Sequence, residues 1–129
     1  MANTKVNIPL LKRLRTRFLR MRHRKHFDMR TWADKNECGT SACIAGHTLL
    51  LAGYKLRRVV DEDDFEFVSP RGRVVDPPTA ARRELGLSKS VTGSEWSCGQ
   101  RELFYDGSIR TPKQAAARIQ ELIEKEEKR

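Results

Sequence analysis

The spacing of apolar residues predicts an amphipathic helix close to the start of the chain. Apolar side chains recur there at intervals of three, four and three residues, at Leu11, Leu14, Phe18 and Met21. This spacing places them on one face of a helix. Pro9 suits the first turn, where its missing N–H costs no hydrogen bond. We therefore predict a helix from about Ile8 to about Arg24 that packs this face on the core.

A second apolar run, within the stretch CGTSACIAGHTLLLAG at residues 38–53, predicts a central helix. The run leaves almost no polar face, so we expect burial on nearly all sides. Thr40 or Ser41 is the expected N-cap, since a side-chain hydroxyl there accepts a backbone N–H. Gly53 is expected to end the helix in a left-handed turn.

Alternating apolar and polar residues after Tyr54 predict β-structure. The stretch DFEFVSPRGRVVD at residues 64–76 alternates around SPRG, a pattern typical of a β-hairpin. Three further helices are predicted from their start and stop residues. The first runs from a cap at Asp76 to Gly86, and the second from about Ser94 to Tyr105. The third begins at Thr111, which forms a capping box with Gln114 and is followed by Pro112 at the first helical position.

Together these elements predict a single domain, residues 1–129, of the mainly α (α+β) class. About five short helices are expected around the buried central helix, with one small β-hairpin. A basic N-terminal helical segment at 1–30 precedes a body at 31–123. The charged tail at 124–129 is expected to fray into solvent.

The net charge of +9 at pH 7 is confined to the N-terminal segment. Residues 1–30 hold ten basic side chains and one acidic side chain, whereas the other 99 residues hold 16 of each. On a helical wheel, Arg13, Arg17, Arg20 and Arg24 fall within roughly 60° of one another and away from the apolar face. A charge this localised indicates an anionic partner.

We predict that this basic edge contacts nucleic acid phosphates without clear sequence specificity. The candidate contact residues are Arg13, Arg17, Arg20, Arg24, Arg15, Arg22 and Lys25. Arginine suits this role because its planar guanidinium donates paired hydrogen bonds to phosphate oxygens. One alternative is a protein-interaction module that inhibits a host machine, either a ribonucleoprotein or a host protein with an acidic surface. Another is a solvated helix whose arginines pair with the acidic run at 61–64 or with Glu66.

The cysteines and the histidine of the central run have three interpretations. Cys43 with His47 as its base would suit a Cys-His hydrolase or transferase. Cys38, Cys43, His47 and Cys98 would together supply a zinc ligand set, although the chain has no CxxC pair. The third interpretation is packing, because free cysteine is among the most buried residue types. We favour packing, and we expect neither a catalytic residue nor a bound cofactor.

The chain shows no sign of a membrane or secretory setting. No apolar run approaches the roughly 20 residues that span a bilayer, and no apolar stretch follows the first positive charges as in a signal peptide. Three cysteines is an odd number without the density of a disulfide scaffold. We therefore expect a cytoplasmic protein without a membrane partner.

Several motifs resemble those of a family of small uncharacterised proteins from bacteriophages and actinobacteria. The motifs are FDMRTW at 27–32, CGTSACIAGH at 38–47, ARRELGL at 81–87, ELFY at 102–105 and TPKQAAARI at 111–119. They follow the family pattern W…CGTxACxAG…LGL…LF…TPxxAAxxI. The resemblance covers about Phe27 to Ile123 and begins after the arginine-rich helix. It implies a shared fold and a phage-like setting, hence a host cytoplasm, and it implies no particular activity.

Overall fold

A computed structural model describes residues 6–21, 34–36, 39–41, 43–59, 65–92, 103–104 and 109–128. Its helices are α1 (Ile8–Leu19), α2 (Ile44–Leu51), α3 (Pro77–Leu85), α4 (Lys89–Thr92) and α5 (Pro112–Glu127). Its strands are β1 (Asp34–Asn36), β2 (Gly39–Ser41), β3 (Lys55–Arg58), β4 (Phe65–Val68) and β5 (Val74–Val75). The protein is therefore mainly α-helical with small antiparallel sheets, which confirms the predicted α+β class.

Helices α1 and α5 form an antiparallel pair. Lys12 near the start of α1 makes a 3.3 Å ion pair with Glu127 at the end of α5. One turn further along, the Arg15 guanidinium donates to the side-chain oxygen of Gln120. The facing apolar stripes are buried: Leu11, Leu14 and Phe18 on α1, and Ala115, Ala116, Ile119 and Ile123 on α5. The apolar spacing read from the sequence is thus the α1–α5 contact face.

Helix α2 is the buried centre of the fold, as predicted. Every side chain from residue 44 to 49 is buried, and α2 packs on α3 and crosses α1. Gly53 follows the helix with a φ of 93°, the left-handed conformation expected of it. The predicted N-cap is wrong. Cys43 caps the helix, because Thr40 and Ser41 lie in strand β2 and pair with β1.

The predicted hairpin forms, and a third strand extends it. Strands β3, β4 and β5 lie in that order in one antiparallel sheet. Phe67 pairs with Leu56 on one side and Val75 on the other, so these three side chains share the face that points to the core. The turn at Ser69 closes through Gly72, whose φ is 86°. A short β1–β2 ladder, for which the sequence analysis predicted no strand, is an addition.

The predicted end of α3 and the predicted start of α5 are confirmed. Gly86 ends α3 with a φ of 69°, and Thr111 and Gln114 form the capping box of α5. Asp76 holds the N-cap position of α3 without a capping bond and instead accepts the Thr79 hydroxyl at 2.6 Å. The start of α1 is tied to the end of α3, because the backbone N–H of Asn7 donates to the Leu85 carbonyl at 2.8 Å.

Two predicted boundaries differ from the structure. Helix α1 ends at Leu19, not near Arg24, and Arg20 is its C-cap. The tail was expected to fray from residue 124, but α5 continues to Glu127. An ion pair joins Glu127 in its last turn to Lys12 of α1. Most of the helix predicted over 94–105, with Trp96, lies outside the described residues. Leu103 and Phe104, at its end, form a buried turn.

Candidate anion-binding groove

The outward face of α1 and the C-terminal end of α2 border a groove of about 530 Å³. Its lining residues are Lys12, Arg13, Thr16, Arg17, Arg20 and Leu51. Four of the six carry a positive charge and Thr16 adds a hydroxyl. At 1.5 Å per residue, the segment from Lys12 to Arg20 extends about 12 Å along α1. The groove therefore concentrates positive charge along a surface long enough for several phosphates.

The apolar face of α1 determines which side chains reach the groove. Because Leu11, Leu14 and Phe18 are buried, the helix cannot rotate without exposing them. The opposite side, which carries Arg13 and Arg20, is then exposed to solvent. The Arg13 guanidinium donates a long, 3.4 Å hydrogen bond to the carbonyl oxygen of Leu51. A cation at the C-terminal end of α2 is also favoured by the helix dipole.

Arg17 is held more firmly than its neighbours. Its Nε donates to Nδ1 of His47 at 2.9 Å, and His47 is 1% exposed. The His47 ring lies edge-on to Phe18, with ring centroids 5.2 Å apart and an interplanar angle of 89°. Burial lowers the pKa of Arg17 from its ordinary value, but a guanidinium remains charged in proteins. The contact through Nε leaves the Nη groups for other acceptors.

The charges of the three groove arginines are not neutralised by any carboxylate that the structure describes. Within the described part of the chain, no carboxylate forms an ion pair with Arg13, Arg17 or Arg20. Lys12 differs, since it is paired with Glu127. The acidic run at 61–64, the alternative partner predicted for these arginines, lies outside the described residues.

The structure brings together part of the predicted contact set. Arg13, Arg17 and Arg20 share the groove, whereas Arg15 turns to the other side of α1 and bonds Gln120 on α5. Arg22, Arg24 and Lys25 lie outside the described residues. Sequence reasoning missed Lys12 and Thr16. Their signal was the four-residue spacing 12, 16, 20, which aligns them on one side of a helix.

Cys43 and His47 lie in the core and have structural contacts. Cys43 is 1% exposed, and its thiol accepts the backbone N–H of Gly46 at 3.5 Å as the N-cap of α2. Because Nδ1 of His47 accepts a hydrogen bond from Arg17, the neutral imidazole carries its proton on Nε2. In this tautomer neither ring nitrogen has a free lone pair for the cysteine proton. The contacts favour the packing interpretation.

The predicted zinc set is incompletely described. Cys38 and Cys98 lie outside the described residues, and among the residues that are described, no three or more His, Cys, Asp or Glu side chains cluster as metal ligands would. Likewise, none of the helices described is both long and apolar enough to cross a membrane.

Comparison with protein-family models, with curated proteins and with solved structures finds no match. The resemblance to the phage and actinobacterial family, and the setting it implies, therefore stay predictions.

Proposed function

We propose that the groove binds the phosphates of nucleic acid, without clear sequence specificity, and that the protein is a small accessory binding protein. The observation that carries the proposal is the set of Arg13, Arg17 and Arg20 in one groove, with no described carboxylate paired to them. A phosphodiester supplies the charge these side chains lack. Each guanidinium can donate two parallel hydrogen bonds to it.

The groove favours phosphate contacts over base reading. Its polar side chains are four cations and one hydroxyl. The lysine and arginine side chains carry hydrogen-bond donors and contain no acceptor atoms. Phosphate contacts position a protein on nucleic acid and carry no direct sequence information. A phage-like accessory protein acting in the host cytoplasm fits this activity.

Binding to labelled duplex and single-stranded oligonucleotides at several salt concentrations tests the proposal. The groove variant, R13Q/R17Q/R20Q, removes the three unpaired charges and leaves the Lys12–Glu127 pair intact. The control variant, R110Q/K113Q/K125Q, removes three exposed charges at α5 that do not line the groove. With one counterion released per phosphate contact, the groove variant should reduce the log–log salt slope on duplex DNA by about 3.

Equal binding by the wild-type protein and the groove variant would overturn the proposal. A loss of affinity shared equally with the control variant would also contradict it, since net charge alone would then explain binding. If nucleic acid is not bound but an acidic protein surface is, the alternative of a host protein partner gains support. Circular dichroism of each variant checks that α1 still forms.

A further inference from the structure

We infer that nucleic acid leaving the groove continues onto a second basic surface at the tip of the β4–β5 hairpin. This hairpin-tip surface consists of Lys55, Arg71 and Arg73. The inference rests on the proposed function and deepens it, because it makes the partner an extended strand or duplex and not a mononucleotide or a single phosphate.

The turn between β4 and β5 projects into solvent. The N–H of Ser69 donates to the Arg73 carbonyl and the N–H of Gly72 donates to the Ser69 carbonyl, both at 2.8 Å, so the turn has a defined shape. A side chain built on Gly72 would meet no atom within 4 Å. Arg71 and Arg73, on either side of this glycine, are both exposed. The tip thus presents two guanidinium groups to open space.

Lys55 lies at the same end of the sheet. It pairs with Val68, the last residue of β4 before the turn, and Val68 also pairs with Val74. Phe67, the neighbour of Val68 in β4, faces the core. Because side chains alternate along a strand, Lys55, Val68 and Val74 point to the opposite, solvent-facing side of the sheet. Val74 is 54% exposed on that side. The lysine and the two arginines therefore border one open end of the sheet.

The hairpin tip adjoins the wall of the groove. Leu51 lines the groove and accepts the Arg13 hydrogen bond. Gly53, two residues further on, lies against the turn, since a Cβ built on it would be 3.8 Å from Cγ of Pro70. The two peptide units between Leu51 and Gly53 separate their Cα atoms by at most about 7.6 Å. The two basic surfaces are consequently neighbours across the C-terminal end of α2.

The hairpin-tip surface keeps its charge, as the groove does. Within the described ranges, no carboxylate forms an ion pair with Lys55, Arg71 or Arg73. The carboxylate of Glu66 on β4 is already bound by Arg57, whose Nε and Nη2 donate to one oxygen at 2.9 and 2.5 Å. A second set of phosphates would therefore meet cations that no described side chain neutralises.

Ligand length distinguishes the extended site from the groove alone. The groove segment of about 12 Å covers roughly three phosphates of a duplex strand, which are about 3.4 Å apart along the axis. A ligand of three or four nucleotides fits the groove and gains nothing from the hairpin. A ligand of about 20 nucleotides reaches both surfaces, and each additional contact releases a counterion.

The test compares single strands of about 4 and about 20 nucleotides, with the short strand measured at low salt by NMR titration. The hairpin variant, K55Q/R71Q/R73Q, should bind the short strand as the wild-type protein does. On the long strand its salt slope should fall by about 2, at roughly 0.7 per contact. The amide signals of Arg71 and Gly72 should shift on adding the long strand and not the short one.

The controls separate this inference from the proposed function. The groove variant should weaken binding of both lengths. If it does and the hairpin variant binds the long strand normally, the extended site is wrong while the groove proposal survives. Equal losses by the hairpin variant on both lengths, or by the R110Q/K113Q/K125Q control on the long strand, would also overturn the extended site. Wild-type binding by the groove variant would overturn the proposed function itself.

Discussion

The Nε of Arg17 and the Nδ1 of His47 are joined by a 2.9 Å hydrogen bond that connects the basic groove to the hydrophobic core. His47 is 1% exposed and lies edge-on to Phe18. A buried imidazole thus orients the guanidinium of a residue that lines the groove. Arg13, by contrast, has a 3.4 Å contact with a helix-end carbonyl. Arg17 is the arginine with the most fixed geometry in the site.

Replacing His47 tests this orientation. His47→Phe keeps an aromatic ring against Phe18 but removes the acceptor, so the Arg17 Nε–H loses its partner. We expect a loss of about 1–3 kcal/mol in the free energy of unfolding, because the half-buried, charged guanidinium of Arg17 loses a hydrogen bond that water replaces only in part. Chemical denaturation measures this loss. His47→Gln, which can offer a side-chain oxygen, should lose less, and equal losses in the two variants would contradict the role of the hydrogen bond.

Arg17→Lys separates charge from geometry in the groove. The lysine keeps the positive charge but lacks the Nε donor and the planar fork. We expect weaker nucleic acid binding at every salt concentration with an unchanged salt slope, since the number of charges is the same. Arg13→Lys is the matched control and should have a smaller effect, because Arg13 is not held by a buried partner. Equal effects of the two substitutions would show that Arg17 acts as a simple point charge.

Tyr54 is expected to titrate late and to link stability to alkaline pH. Burial raises its pKa above 10.0, and the Glu84 carboxylate, which accepts the Tyr54 hydroxyl at 2.9 Å, raises the pKa further. Because the folded pKa exceeds the unfolded one, this contribution to stability is complete below about pH 10 and is lost as pH rises through the folded pKa.

Absorbance titration and alkaline denaturation measure this effect. The chain has two tyrosines, Tyr54 and Tyr105, so Tyr54→Phe should remove one of two ionisations from the titration curve, and the ionisation removed should lie above pH 10. The difference in unfolding free energy between wild type and Tyr54→Phe should shrink above pH 10. A difference that stays constant with pH would rule out the linkage.

Cys43 should react slowly with alkylating agents in the folded protein. Its thiol is buried and caps α2 through the Gly46 N–H, and reaction requires an accessible thiolate. Iodoacetamide labelling at neutral pH, followed by mass spectrometry of the peptide carrying residue 43, measures the rate. Labelling should become fast in denaturant. Rapid stoichiometric labelling without denaturant would restore the nucleophile interpretation.

Features that depend on neighbouring residues were predictable from the sequence. The Thr111–Gln114 capping box, the left-handed Gly53 and Gly86 and the hairpin turn all follow from local backbone chemistry. The apolar spacing of α1 also predicted its buried face, because a helix has a fixed period. The end of α1 was not predicted, since periodicity does not limit the length of a helix.

The sequence by itself determined the main helices and the hairpin, the localised positive charge and the side of α1 on which its arginines lie, because each depends on the order of nearby residues. The tertiary structure decided which of those arginines form a site. Packing of α5 draws Arg15 to Gln120, the end of α2 supplies the wall beside Arg13, and buried His47 holds Arg17. These contacts join residues 30 to 105 positions apart in the chain, and no local pattern specifies such pairs.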